Sequence, residues 1–146
     1  MVDVAGAAQA RRGVRRGDEF VFTCASCGGV AATLRIVTQG QVVDGGPMRG
    51  GKRLTWPAEH TSRVLEFVSV NSGRLDARLV PLLAGSETVD PVDIRAIDRE
   101  LAAFCCRRCG QNYCVSCWGT WVHFDDGFYD GTRGRCPRGH QQTLDG

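Results

Sequence analysis

The side chains with most to offer chemically in this 146-residue chain are eight cysteines and three histidines, and they are not scattered. Cys24 and Cys27, Cys106 and Cys109, and Cys114 and Cys117 form three C-x2-C pairs. Cys136 and His140 form a further pair inside "CPRGH". Each such spacing puts two soft donors on one tight turn, and two turns together supply the four donors of a tetrahedral zinc site. A disulfide framework is the competing chemistry, but it belongs to oxidising compartments. The N-terminal segment "MVDVAGAAQARRGVRRGDEF" carries its charges after a short Ala-rich stretch and contains no apolar leader. The expected location is therefore the cytoplasm, and the expected cofactors are two structural Zn²⁺ ions.

Sharing out the ligands follows from the linkers. Four residues separate Cys109 from Cys114, which leaves little chain to fold one turn back onto the next. Each pair should then find a distant partner. Following chain order, the expectation is Cys24, Cys27, Cys106 and Cys109 for one ion, and Cys114, Cys117, Cys136 and His140 for the other. His123 is the alternate ligand for the second group. His140 is preferred because its spacing from Cys136 suits one helical turn, which "PRGHQQTLD" would supply. His60 has no cysteine nearby and is not expected to ligate. Cys105 is left over. It reads as a small buried residue beside a ligand, or as a reactive thiol whose pKa is lowered by Arg107 and Arg108.

The run Cys106-x2-Cys109-x4-Cys114-x2-Cys117-x5-His123 resembles the second half of the in-between-RING zinc module of RING-type ubiquitin ligases. The resemblance implies two zinc ions bound sequentially, with Cys24, Cys27, Cys106 and Cys109 in the first site and Cys114, Cys117, His123 and Cys136 in the second. It covers about thirty residues, and it would connect Cys105 with a ligase-like or thiol-dependent activity. The chain as a whole is similar to small bacterial zinc-ribbon or treble-clef proteins ending in a "CPxGH" motif. The 17 arginines against one lysine suit a GC-rich, bacterial source.

The elements that must position these residues read as α+β: a small antiparallel sheet with one main helix, zinc-ribbon or treble-clef-like. Residues 1–18, with "RRGVRRGD", are expected to form a disordered basic arm. Residues 19–146 form a single two-zinc domain. Within it lie a zinc knuckle at 20–37, an insertion of strands, loop and helix at 38–104, and a C-terminal zinc module at 105–146. Gly28 and Gly29 permit the tight turn after Cys27. "VAATLRIV" returns as a strand. Residues 39–62 read as a long surface loop with one or two short strands. "RVLEFVSV" is a strand closed by an "NSG" turn. "RLDARLVPLLAG" is assigned as its hairpin partner, because Pro81 disfavours a helix interior. "VDPVDIRAIDRELAAF" is the helix, capped by Asp90, with Pro91 in its first position.

Charge and motif content narrow the function. Seven thiolates subtract seven charges and two Zn²⁺ restore four, taking the formal +2 to about −1, a poor field for attracting phosphates. Asp125, Asp126 and Asp130 read as a solvated, turn-rich loop. No phosphate loop or catalytic triad pattern is present, and no stretch is long and apolar enough to span a membrane. The expected function is a non-enzymatic interaction module for another protein. Trp118, Trp121, Phe124, Phe128 and Tyr129, with Arg107, Arg108, Arg133, Arg135 and Arg138, keep nucleic-acid binding open as the alternative.

Overall fold

A computed structural model describes residues 8–47 and 51–145, with side chains left out of account at 44–47. Strands dominate. A six-stranded antiparallel sheet is built from β1 (Gly13–Arg16), β2 (Glu19–Thr23), β3 (Val30–Val37), β6 (Ser62–Glu66), β7 (Val70–Arg74) and β8 (Thr88–Val89). Its order is β7-β6-β3-β2-β1-β8. β4 (Val42–Pro47) and β5 (Arg53–Pro57) pair as a separate ribbon, within the stretch expected to be a loop with short strands. β9 (Gly119–Asp125), β10 (Phe128–Arg135) and β11 (Gln141–Asp145) make a three-stranded meander.

The core follows from strand alternation. Phe20 and Phe22 on β2 and Leu34 on β3 turn inward. They meet Leu79, Leu83, Ile94, Leu101, Phe104 and Trp118, all at most 1% exposed. The Phe22 and Phe104 ring centroids lie 4.4 Å apart, so the sheet and the segment leading into the second cysteine pair share one packing contact. A smaller cluster of Val37, Val43, Ala58 and Val64 seats the β4–β5 ribbon.

Several expectations need correction. The basic arm is part of the fold from residue 8 on, and residues 1–7 lie outside the described residues. β1 pairs with both β2 and β8. Arg11 grips the Asp90 carboxylate through two bonds of 2.9 and 3.0 Å. Arg12 donates to Thr88 Oγ1, and Arg15 donates to the carbonyls of Leu83 and Ser86 while lying over the Phe20 ring. These arginines have built-in acceptors, which a composition argument does not see.

The segment assigned as a hairpin partner is helical instead: a 3-10 turn Ala77–Leu79 runs into a short helix Val80–Leu83. Pro81 falls in the first turn of that helix, where the missing N–H costs nothing. The true partner of β6 is β7, and the turn is Phe67–Ser69, not "NSG". In this register Gly73 lies directly opposite Arg63, whose guanidinium packs about 3.2 Å from where a Cβ would stand.

The main helix is shorter than expected. It spans Pro91–Ile97 and is broken at Asp98, whose extended backbone caps a separate 3-10 turn, Arg99–Ala102. Its start is as expected: Asp90 Oδ1 accepts from the Val92 amide at 2.9 Å and Pro91 opens the helix. Residues 141–145 form β11 rather than a helical turn. Among the described residues no helix is long and apolar enough to cross a membrane.

Candidate metal centres

Two groups of four ligand atoms come together, each within 4.8 Å of one another. Cys24, Cys27, Cys114 and Cys117 form the first group; Cys106, Cys109, Cys136 and His140 form the second. All eight expected ligands are used. The pairing is not the expected one. Cys24 and Cys27 do not meet Cys106 and Cys109, and Cys114 and Cys117 do not meet Cys136 and His140. The first pair joins the third and the second joins the fourth, so the two groups interleave along the chain.

The turns themselves are local. Gly28 N donates to Cys24 O at 3.0 Å, Gly110 N to Cys106 O at 2.8 Å and Gly139 N to Cys136 O at 2.8 Å. These three glycines sit at φ +77, +67 and +93°, a backbone region costly for any residue with a side chain. Backbone amides point back at sulfur: Gly29 N to Cys27, Cys109 N to Cys106 and His140 N to Cys136, each at 3.4 Å. The Cys114 turn closes without glycine, through Cys117 N and Trp118 N to Cys114 O.

Long-range contacts set the pairing. After Cys109 the chain does not run on to a new region. Ala25 N donates to Asn112 O at 2.8 Å, and Tyr113 N donates to Phe104 O at 3.1 Å. Asn112 is fully buried and its Nδ2 donates to Arg11 O. These contacts carry Gly110–Tyr113 past the first knuckle and deliver Cys114 and Cys117 to Cys24 and Cys27. The β10–β11 hairpin returns the fourth pair to the second. Gln142 Nε2 donates to the carbonyls of Ala103 and Cys105, and Gln142 Oε1 accepts from Arg107 N. The expectation that adjacent pairs do not share a site holds. The choice among distant partners depended on these contacts, which no spacing encodes.

Distances within the groups fit a tetrahedral ion. Metal–sulfur bonds of about 2.3 Å at the tetrahedral angle place sulfurs roughly 3.8 Å apart. Cys27 and Cys114 Sγ are 3.7 Å apart, and so are Cys109 and Cys136 Sγ. His140 presents Nδ1, at 3.1, 3.6 and 3.5 Å from the sulfurs of Cys109, Cys106 and Cys136.

Thiol acidity points the same way. Burial pushes the Cys24 thiol up, but backbone N–H groups of Cys114, Cys27 and Ser26 outweigh it and bring it down to about 6. Hydrogen bonding to Cys114 and Cys24 then pushes Cys117 up to about 12. In the second group burial and the thiols of Cys106 and Cys136 push Cys109 up to about 11, while backbone donors at His140 and Arg138 overcome burial and lower Cys136. In each group backbone donors ease one thiol toward the thiolate, while burial and hydrogen bonds from neighbouring thiols hold another protonated. A cation at the centre removes that resistance to deprotonation.

The remaining candidates lie apart from both groups. His123 is on β9, with Nδ1 2.9 Å from Asp130 Oδ2. That removes the ligand set implied by the in-between-RING resemblance, as the interleaved pairing removes its sequential order. His60 is in the β5–β6 connection, where no metal-competent group includes it among the described residues. Cys105 is fully buried, and burial pushes its thiol pKa up.

A family model described as Domain of unknown function (DUF8328) matches residues 14–146. The chain belongs to this family. Comparison with the curated proteins and with the solved structures gives no match. The matched span begins in β1 and contains all eight residues of both ligand groups.

Proposed function

We propose that this protein is a non-enzymatic, zinc-stabilised interaction module of the zinc-ribbon or treble-clef type, acting in the cytoplasm by presenting the β9–β10 hairpin to another protein. Four thiolates in one group, and three thiolates with an imidazole in the other, are the donor sets of structural zinc. Four protein donors fill a tetrahedral shell and leave no position for a reacting water. Buried Cys105 offers no exposed nucleophile for a thiol-dependent activity.

The observation that carries the reading is the apolar hairpin. Phe124, Phe128 and Tyr129 are 61, 77 and 54% exposed. Val122 shares the Phe124 and Tyr129 face of the hairpin and is also exposed, while Trp121 and Phe128 alternate onto the other face. Aromatic side chains on a rigid support dominate protein interfaces. The support is anchored at its base: Trp118 and Leu144 are buried there, and Cys136, which directly follows β10, ties the same end to the second ligand group.

Nucleic-acid binding is the second reading. Arg133 and Arg135 lie on β10, with Arg133 directly opposite Trp121. Against it, Asp125, Asp126 and Asp130 occupy the same hairpin and repel phosphates. The test compares metal-loaded wild type with a Phe124→Ser/Phe128→Ser variant of unchanged metal content. A partner protein retained by wild type and released by the variant supports the proposal. A low-salt gel shift with generic DNA or RNA that the variant abolishes would replace it with the second reading.

A further inference from the structure

A cleft of about 330 Å³ opens where the six-stranded sheet, the helical segment and the C-terminal meander meet. Its size is at the lower end of what small-molecule sites enclose. One wall is apolar: Leu65 on β6, Phe67 and Val68 in the β6–β7 turn, and Leu144 on β11. Three arginines also line the cleft: Arg95 on the Pro91–Ile97 helix, Arg99 on the following 3-10 turn, and Arg107.

These arginines are not equivalent. Arg95 is spent on structure, donating to the carbonyls of Ala102 and Cys105. Arg99 and Arg107 are exposed, and among the described residues their side chains make no hydrogen bond or ion pair. Two acids also line the cleft. Asp145 accepts from the Tyr129 hydroxyl at 3.2 Å, and Glu100 pairs with neither arginine. The balance at the cleft is thus one positive charge, with both free cations beside an apolar wall.

We propose that this cleft binds a small amphipathic anion, an apolar body bearing one carboxylate or phosphate, with Arg99 and Arg107 holding the charged group and Phe67, Val68 and Leu144 the body. A guanidinium presents paired donors matched to either oxyanion. The second ligand group braces the wall: Arg107 follows Cys106 directly, and Gln142, two residues after His140, bonds to the Arg107 amide. Tyr129 of the exposed hairpin reaches the cleft rim through Asp145, but the arginines and the apolar residues of this site lie outside the hairpin, so the proposal does not rest on that surface docking a protein.

The test uses the metal-loaded full chain and three probes: phenyl phosphate, benzoate and neutral benzyl alcohol. The expected result is millimolar binding of at least one anion at low salt, weakening as salt rises. Two-dimensional NMR should place the shifts on Val68, Ser69 and the side-chain amides of Asn71 and Gln142. The tighter of the two anions identifies the headgroup. Arg99→Gln/Arg107→Gln should weaken binding at least tenfold at unchanged metal content, whereas Arg133→Gln, outside the cleft, should not. The proposal is overturned if neither anion shifts these residues, if benzyl alcohol binds as well as the anions, or if the Arg133 variant loses as much affinity as the double variant.

Discussion

Asp90 shows how much one side chain can carry. Its Oδ1 caps the Pro91–Ile97 helix, and both carboxylate oxygens receive the Arg11 guanidinium. Burial alone would push its carboxyl pKa up; the bonds from Arg11 and Val92 win and hold it below the ordinary 3.8. A lowered folded-state pKa stabilises the fold above the unfolded value, and that contribution is lost as pH falls through the lowered one. At neutral pH it is present in full. Asp90→Ala removes the cap and leaves Arg11 without its partner. The expected cost is about 2 kcal/mol, combining a typical cap with a half-buried, charge-assisted bond. Urea unfolding of the metal-loaded protein measures it, and Asp90→Asn, which keeps the cap, should recover part of the loss. The cap was legible in the sequence, because Asp-Pro before an apolar periodic run is a local signal. The Arg11 contact was not, because it joins residues 79 apart.

At the scale of elements, the meander is held against the core by the absence of a side chain. Gly134 on β10 faces Leu144 and Trp118, and a Cβ there would lie 2.6 Å from Leu144 Cδ1 and 3.1 Å from Trp118 Cε3. Trp118 is itself fixed, stacked edge-on to Tyr113 and donating to Phe104 O. Neither neighbour can give way without disturbing the segment that bears the cysteines. Gly134→Val should therefore cost on the order of 3 kcal/mol by overpacking and lower the thermal midpoint. Gly127→Ala, in the β9–β10 turn with open space around it, should cost only the strain of its positive φ. The same contrast explains what could be read in advance. C-x2-C turns, alternating strands and the cap are set by neighbours in sequence. The partner of each turn, the helical state of Val80–Leu83 and the pairing of β1 are set by distant contacts. Pro81 was compatible with an edge strand and with a first helical turn, and only packing of Leu79 and Leu83 into the core decided between them.

Interleaving matters most at the scale of the whole molecule. Sequential pairing would give two separable loops, each closed by its own ion. Here the loop closed by the first group, from Cys24 to Cys117, overlaps the loop closed by the second, from Cys106 to His140. The shared stretch contains Asn112, which is fully buried and joins the first knuckle through Ala25 and the N-terminal segment through Arg11. With an ion in each group, losing the second would free the Cys106–Cys109 turn and the path that delivers Cys114 and Cys117, and losing the first would release β2 and β3 from that path. A structural zinc site contributes roughly 10 kcal/mol of apparent binding free energy, whereas a whole domain is stable by about 5–15 kcal/mol. Neither group should survive the loss of the other. Chelator titration monitored by a zinc-sensitive dye should release both equivalents in one transition, together with the loss of tertiary circular dichroism. Cys117→Ser and Cys136→Ser, in different groups, should each retain well under one equivalent. Retention of one full equivalent by either variant would show two independent sites, and the coupling through Gly110–Tyr113 would then be wrong.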